Sequence, residues 1–112
     1  MPPESHTPFS RHAAEATRLL KALSSEPRLL ALCYLSEAGE MSVGDLAEQV
    51  GLSQSALSQH LGRLREEGLV ATRKEAQTVF YRITDPRVQQ LLALLHDLFC
   101  PELGTGRSGG KA

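Results

Sequence analysis

Apolar positions follow a helical period over most of this chain, and the period changes once. Residues 12–23 set Ala13, Ala16, Leu20 and Leu23 in a 3-4-3 spacing, a narrow seam on one helix. A second helix is predicted from Ser25 as N-cap, through Arg28-Leu29-Leu30-Ala31-Leu32-Cys33-Tyr34-Leu35, to near Gly39. Apolar on most sides, it reads as the central core helix. Leu46 and Val50 lie one turn apart on a short third helix, and Gly51 supplies the positive φ of a tight turn. Ser53 then caps a fourth helix whose Leu57, Leu61 and Leu64 face inward at i, i+4, i+7. After Gly68, a helix-ending glycine, the period drops to two. Leu69–Arg73 and Thr78–Ile83 are β-prone runs separated by Lys74-Glu75-Ala76-Gln77, with Val79, Tyr81 and Ile83 alternating against Thr78, Phe80 and Arg82. Asp85-Pro86 opens a last helix. Its Val88, Leu91, Leu95 and Leu98 repeat the 3-4-3 seam, and Leu92, Leu94 and Phe99 widen it.

A helix-turn-helix followed at once by a hairpin is the element order of a winged helix-turn-helix, a mainly α fold with a small β-hairpin. The fourth helix carries Ser55, Ser58, Gln59 and Arg63 opposite its leucines. These short or forked donors and acceptors suit base edges in a major groove, where Gln pairs with adenine and Arg with guanine. Ser53, Gln54 and His60 complete that helix's DNA-facing set. Arg73, Lys74 and Gln77 belong to the wing, where the two cations would meet phosphates and carry little sequence information. An exposed structural helix would also be polar outside. Leu52 in the turn, the lack of any acid before Glu66 and the adjoining hairpin favour a reader of duplex DNA.

Charge changes the picture only once it is mapped. The 112 residues sum to −1, which by itself argues against nucleic acid. Residues 53–82, however, hold Arg63, Arg65, Arg73, Lys74 and Arg82 against Glu66, Glu67 and Glu75, a net of +2. The reading face is locally basic on an acidic body. The length is one domain with a modest core: a flexible arm at 1–11, the winged helix at 12–100 and a flexible tail at 101–112. Two apolar seams at opposite ends of so short a chain predict a homodimer, presenting two recognition helices to a palindrome. The alternative is that the seams cover each other within one monomer. No targeting or membrane segment is visible, so a cytoplasmic protein is expected, in a compartment where a permanent disulfide does not persist.

These segments resemble the ArsR/SmtB family of small bacterial repressors. The residues that carry the likeness are LLKALSSEPRLLAL at 19–32, DLAEQVGLSQSALSQHLGRLREEGLV at 45–70 and TVFYRI at 78–83. The resemblance implies a dimeric winged helix that leaves its operator when an inducer arrives. Metal-sensing relatives carry a CVC-D-L motif at the third helix, where this chain has Ser42-Val43-Gly44-Asp45-Leu46 and no thiolate. Others use Asp and His along the last helix, but here Arg87 follows Asp85 and only His96 lies beyond. His6, His12, His60 and His96 form no recognisable ligand set, so no metal site and no cofactor are expected.

Cys33 and Cys100 are the only cysteines. Their settings, LLALCYL and LHDLFCP, resemble the persulfide- and redox-sensing BigR/SqrR-type branch of the family. In that branch a cysteine of the second helix and one of the last are bridged through a disulfide or polysulfide. The implied inducer is a reactive sulfur species or an oxidant, acting by thiol exchange. The alternatives are a metal-responsive repressor and a DNA-binding regulator whose cysteines are buried structural residues. The local chemistry does not favour a thiolate: Cys100 ends a helix, Cys33 sits in an apolar one, and Arg28 is more than a turn from Cys33. His96 lies one turn before Cys100, but no oxyanion-type loop or further catalytic group accompanies the pair. An enzyme is therefore not expected.

Overall fold

The computed structural model describes residues 7–100. Five helices and a three-stranded antiparallel sheet follow in the order α1 (Pro8–Leu23), α2 (Glu26–Ala38), β1 (Met41–Ser42), α3 (Val43–Val50), α4 (Gln54–Glu66), β2 (Val70–Glu75), β3 (Thr78–Ile83) and α5 (Pro86–Phe99). Short polar caps set the helix starts. The hydroxyls of Ser25, Ser42 and Ser53 accept from the backbone N–H of Arg28, Asp45 and Ala56, and the Asp85 carboxylate accepts from that of Arg87. Gly51 closes α3 at φ 85°, in the left-handed region that lets α4 turn sharply away.

Three boundaries differ from the pattern-based expectation. α1 begins at Pro8, four residues before the expected start at residue 12, because the Thr7 hydroxyl caps it and proline suits its first turn. Residues 8–11 are thus helical; the rest of the expected arm, 1–6, and the expected tail, 101–112, lie outside the described residues. The hairpin is tighter than expected, since β2 runs through Lys74 to Glu75 and leaves only Ala76-Gln77 in the turn. Ala76 takes φ 55°, a value that glycine or asparagine usually announces. The third strand, β1, pairs Met41 with Tyr81 and Ser42 with Phe80, giving the order β1-β3-β2.

Leu32, Leu35, Leu46, Leu57, Leu61, Leu64, Leu69 and Val88 are fully buried and join α2, α3, α4, the wing and α5 in one core. The inward leucines of α4 are thus placed as expected, and Tyr81 is the buried residue of β3. α2 is only partly a core helix: Ala31, Leu32 and Leu35 are enclosed, whereas Leu30 and Cys33 lie at the surface of the single chain. The terminal seams are likewise divided. Leu23, Val88 and Leu92 enter the core, while Phe9, Leu20, Leu94, Leu98 and Phe99 remain exposed. The two seams do not cover each other, and exposed apolar area of this kind marks an interaction surface. No described helix is long and apolar enough to cross a membrane.

Candidate nucleic-acid interface and thiol pair

α4 presents the face expected of a reader. Ser53, Gln54, Ser55, Ser58, Gln59 and Arg63 are all exposed, with Ser55 and Gln59 opposite Leu57, Leu61 and Leu64 on the helix. His60 is different. It is half-buried on the flank of the helix, with Nδ1 3.3 Å from Nη1 of Arg28. The Arg28 guanidinium also donates to the carbonyls of Ala22 at 2.6 Å and Lys21 at 3.5 Å, at the C-terminus of α1. One side chain therefore ties α1, α2 and α4 together. Arg28 is turned towards α4, so it is committed there and does not serve the Cys33 thiol.

The wing presents less free charge than its composition indicates. Arg73 forks onto Glu40 with two contacts of 2.9 Å, reaches Glu75 at 3.0 Å and lies 4.5 Å from the centroid of the Phe80 ring. The hydrogen bond from Arg73 holds the Glu40 carboxyl below its ordinary range, and the same bond, with that to Glu75, raises the Arg73 pKa. Lys74 and Gln77 are exposed at the wing end. Glu40, in the connection between α2 and β1, anchors the wing to the body. Sequence reasoning missed it because it lies 33 residues from Arg73.

The two cysteines are free thiols on α2 and at the end of α5. Cys33 is exposed and Cys100 is half-buried. Partial burial of its sulfur pushes the Cys33 pKa up, and the Cys100 thiol and the Glu37 carboxylate push it further in the same direction. α2 and α5 pack against each other, so both cysteines belong to one pair of adjacent helices. The helices are also linked by the Ser36 hydroxyl, which donates to Gln89 Oε1 at 2.8 Å. Among the described residues, no three His, Cys, Asp or Glu side chains converge to hold a metal ion.

The profile of bacterial regulatory proteins of the arsR family matches residues 25–72, from the cap of α2 into the wing. The transcriptional activator HlyU of Vibrio cholerae is 52% identical over 82% of this chain and 84% of its own length. The structure of its reduced form aligns with a TM-score of 0.78, over 82% of this chain and 96% of that one. The biofilm growth-associated repressor of Xylella fastidiosa is 45% identical over 84% of this chain and 82% of its own length. The structure of the repressor BigR from Xylella fastidiosa aligns with a TM-score of 0.77 at 44% identity, over 89% of this chain and 98% of that one. The antimony-specific repressor AntR aligns with a TM-score of 0.77 at 30% identity, over 92% of this chain and 96% of that one. Winged-helix architecture, profile and near full-length identity agree: the chain belongs to the arsR family of DNA-binding transcriptional regulators, which are not enzymes.

Proposed function

We propose that this protein is a dithiol-controlled transcriptional repressor. It binds operator DNA as a homodimer while Cys33 and Cys100 are reduced, and leaves when a reactive sulfur species or an oxidant bridges them. The observation that carries this reading is that the two free thiols sit on α2 and at the end of α5, helices that pack against each other and are tied by the Ser36–Gln89 hydrogen bond. Its redox character is supported by the likeness to reduced HlyU, and its repressor character by the likeness to BigR. The exposed apolar residues of α1 and α5 support the dimer, whose two-fold axis would present two copies of α4 to a palindrome.

The chemistry balances without a cofactor. A thiolate of the pair attacks the sulfane sulfur of a persulfide RSSH, becoming a protein persulfide and releasing RSH. The second thiolate attacks the inner sulfur, closing the disulfide and expelling hydrosulfide. The donor's sulfane sulfur is reduced and the two thiols are oxidised. A further RSSH extends the protein persulfide by one sulfur first, and closure then leaves a trisulfide. AntR is antimony-specific, and a pair of free thiols has affinity for soft ions, which gives a second reading in which such an ion is the inducer.

Intact mass after treatment separates these readings. A persulfide donor should give a bridged chain, with loss of two hydrogens and in part of the population one or more added sulfurs. Peroxide should give the hydrogen loss alone, and a soft metal should leave both thiols intact. Because the Cys33 pKa is raised, bridging should accelerate as pH rises towards it. Two thiols that stay unbridged under persulfide, while the protein still leaves DNA, would overturn the dithiol switch.

The wing gives a second expectation. Lys74→Ala removes an exposed cation near the turn and should weaken operator and random duplexes alike, lowering the salt slope of binding by about one. Arg73→Ala removes a charge already faced by Glu40 and Glu75. Its salt slope should change less than that of Lys74→Ala, with lost affinity tracing to a loosened wing. Fluorescence anisotropy across a salt series measures both slopes; a larger change for Arg73→Ala would contradict this assignment.

A further inference from the structure

We propose that Arg28, His60 and Arg63 form a binding site for one phosphodiester of the DNA backbone, at the edge of the groove that α4 enters. The inference rests on the reading of α4 as the recognition helix. It adds a contact from outside that helix and assigns Arg63 to a phosphate in place of a base.

Placement is the first argument. His60 and Arg63 are three residues apart on α4, hence on one flank, and Arg28 approaches that flank from the first turn of α2. When a helix lies in a groove, its outer face meets bases and its flanks meet the sugar-phosphate walls. A cation from a neighbouring element that reaches the flank is therefore at the height of the phosphates.

Charge is the second argument. Arg18, Arg73 and Arg87 each have a carboxylate oxygen within 3.2 Å. Arg28 and Arg63 have no carboxylate partner among the described residues. Burial lowers the Arg28 pKa, and the nearby charge of Arg63 lowers it further. The carbonyls of Ala22 and Lys21 orient the Arg28 guanidinium but bring no net charge. Two cations held together without a counter-ion repel each other in the free protein, and an anion between them relieves that repulsion.

Hydrogen-bond chemistry adds the third. Guanidinium only donates, so the nitrogen that faces it, His60 Nδ1, must accept. The proton of the neutral ring then sits on Nε2, an N–H donor with no hydrogen-bond partner among the described residues and thus available to a phosphate oxygen. Arg28 orients His60 as well as contributing charge.

The test is anisotropy with the full chain, on its operator duplex and on a scrambled duplex, across a salt series. Arg28→Gln and Arg63→Gln should each weaken both duplexes, by roughly threefold to tenfold, and lower the salt slope by about one. The ratio of operator to scrambled affinity should stay within about twofold, and Arg28→Lys should keep the parent slope. Gln59→Ala serves as the control, since it should change the ratio and leave the slope alone. An unchanged slope in Arg28→Gln, with Gln59→Ala still effective, overturns the phosphate site but not the reading of α4. A ratio untouched by Gln59→Ala overturns that reading. If Arg28→Gln loses its helical circular-dichroism signal, Arg63→Gln decides: a lowered slope at constant ratio supports the site, and an altered ratio overturns it.

Discussion

Serine in place of either Cys33 or Cys100 should hold the regulator on its operator through a dose of persulfide that releases the parent protein. One sulfur cannot close a bridge, so each single variant stops at a protein persulfide or a mixed disulfide. Coupling between an effector site and a binding site is typically 1–3 kcal/mol, and the parent operator affinity should therefore fall by about 5- to 150-fold on treatment. The single variants should lose most of that response while binding DNA normally beforehand, because Cys33 is exposed and Cys100 lies at the end of its helix. The fold offers a route for the coupling. A bridge pulls on α2 beside its link to Gln89, and the same helix carries Arg28, which touches His60 on α4. A direct disulfide requires Cα atoms within about 7 Å, whereas a polysulfide spans more and would favour persulfide over peroxide as inducer. Operator binding followed by anisotropy before and after treatment measures the effect. A double variant, Cys33→Ser with Cys100→Ser, that still dissociates under persulfide would sink the mechanism.

What the chain reveals by itself divides along physical lines. Periodicity and caps are local, so the five helices, the turn at Gly51 and the inward leucines of α4 were all legible. The hairpin was legible as two runs, but its turn was not. Ala76 adopts a positive φ without being glycine, so nothing in its residue type marks the position. β1 is only two residues long, below the length at which alternation can register. The start of α1 was legible in principle, since Thr7-Pro8 is a cap followed by a first-turn proline, but the apolar seam drew attention downstream. Cys33 sits among apolar neighbours in the sequence, which hides its exposure. The polar wiring was the least accessible part. Arg73 to Glu40 spans 33 residues and Arg28 to His60 spans 32, and no spacing rule predicts such pairs. Composition therefore counted Arg73 as free wing charge, whereas two carboxylates hold it.

The two faces of α4 should separate cleanly under substitution. Leu61 is fully buried between α4 and the rest of the core, so Leu61→Ala leaves a cavity as well as losing transfer free energy. The expected cost is about 2–5 kcal/mol, a large fraction of the roughly 5–15 kcal/mol that holds a small domain together. Its Tm should fall by several degrees or more, and its operator affinity should fall with the folded fraction. Gln59, two residues earlier, is exposed and outside the core cluster, so Gln59→Ala should change stability by no more than about 0.5 kcal/mol. Its effect belongs to recognition: losing a bidentate pair to a base edge should cost about 1–3 kcal/mol of discrimination at one operator position. Thermal unfolding and a competition assay against single-base operator variants, run on both proteins, give the comparison. The expected pattern is a stability defect without altered preference for Leu61→Ala, and altered preference without a stability defect for Gln59→Ala. If Gln59→Ala and Ser55→Ala both retained the parent preference at every operator position, α4 would not be the element that reads the sequence.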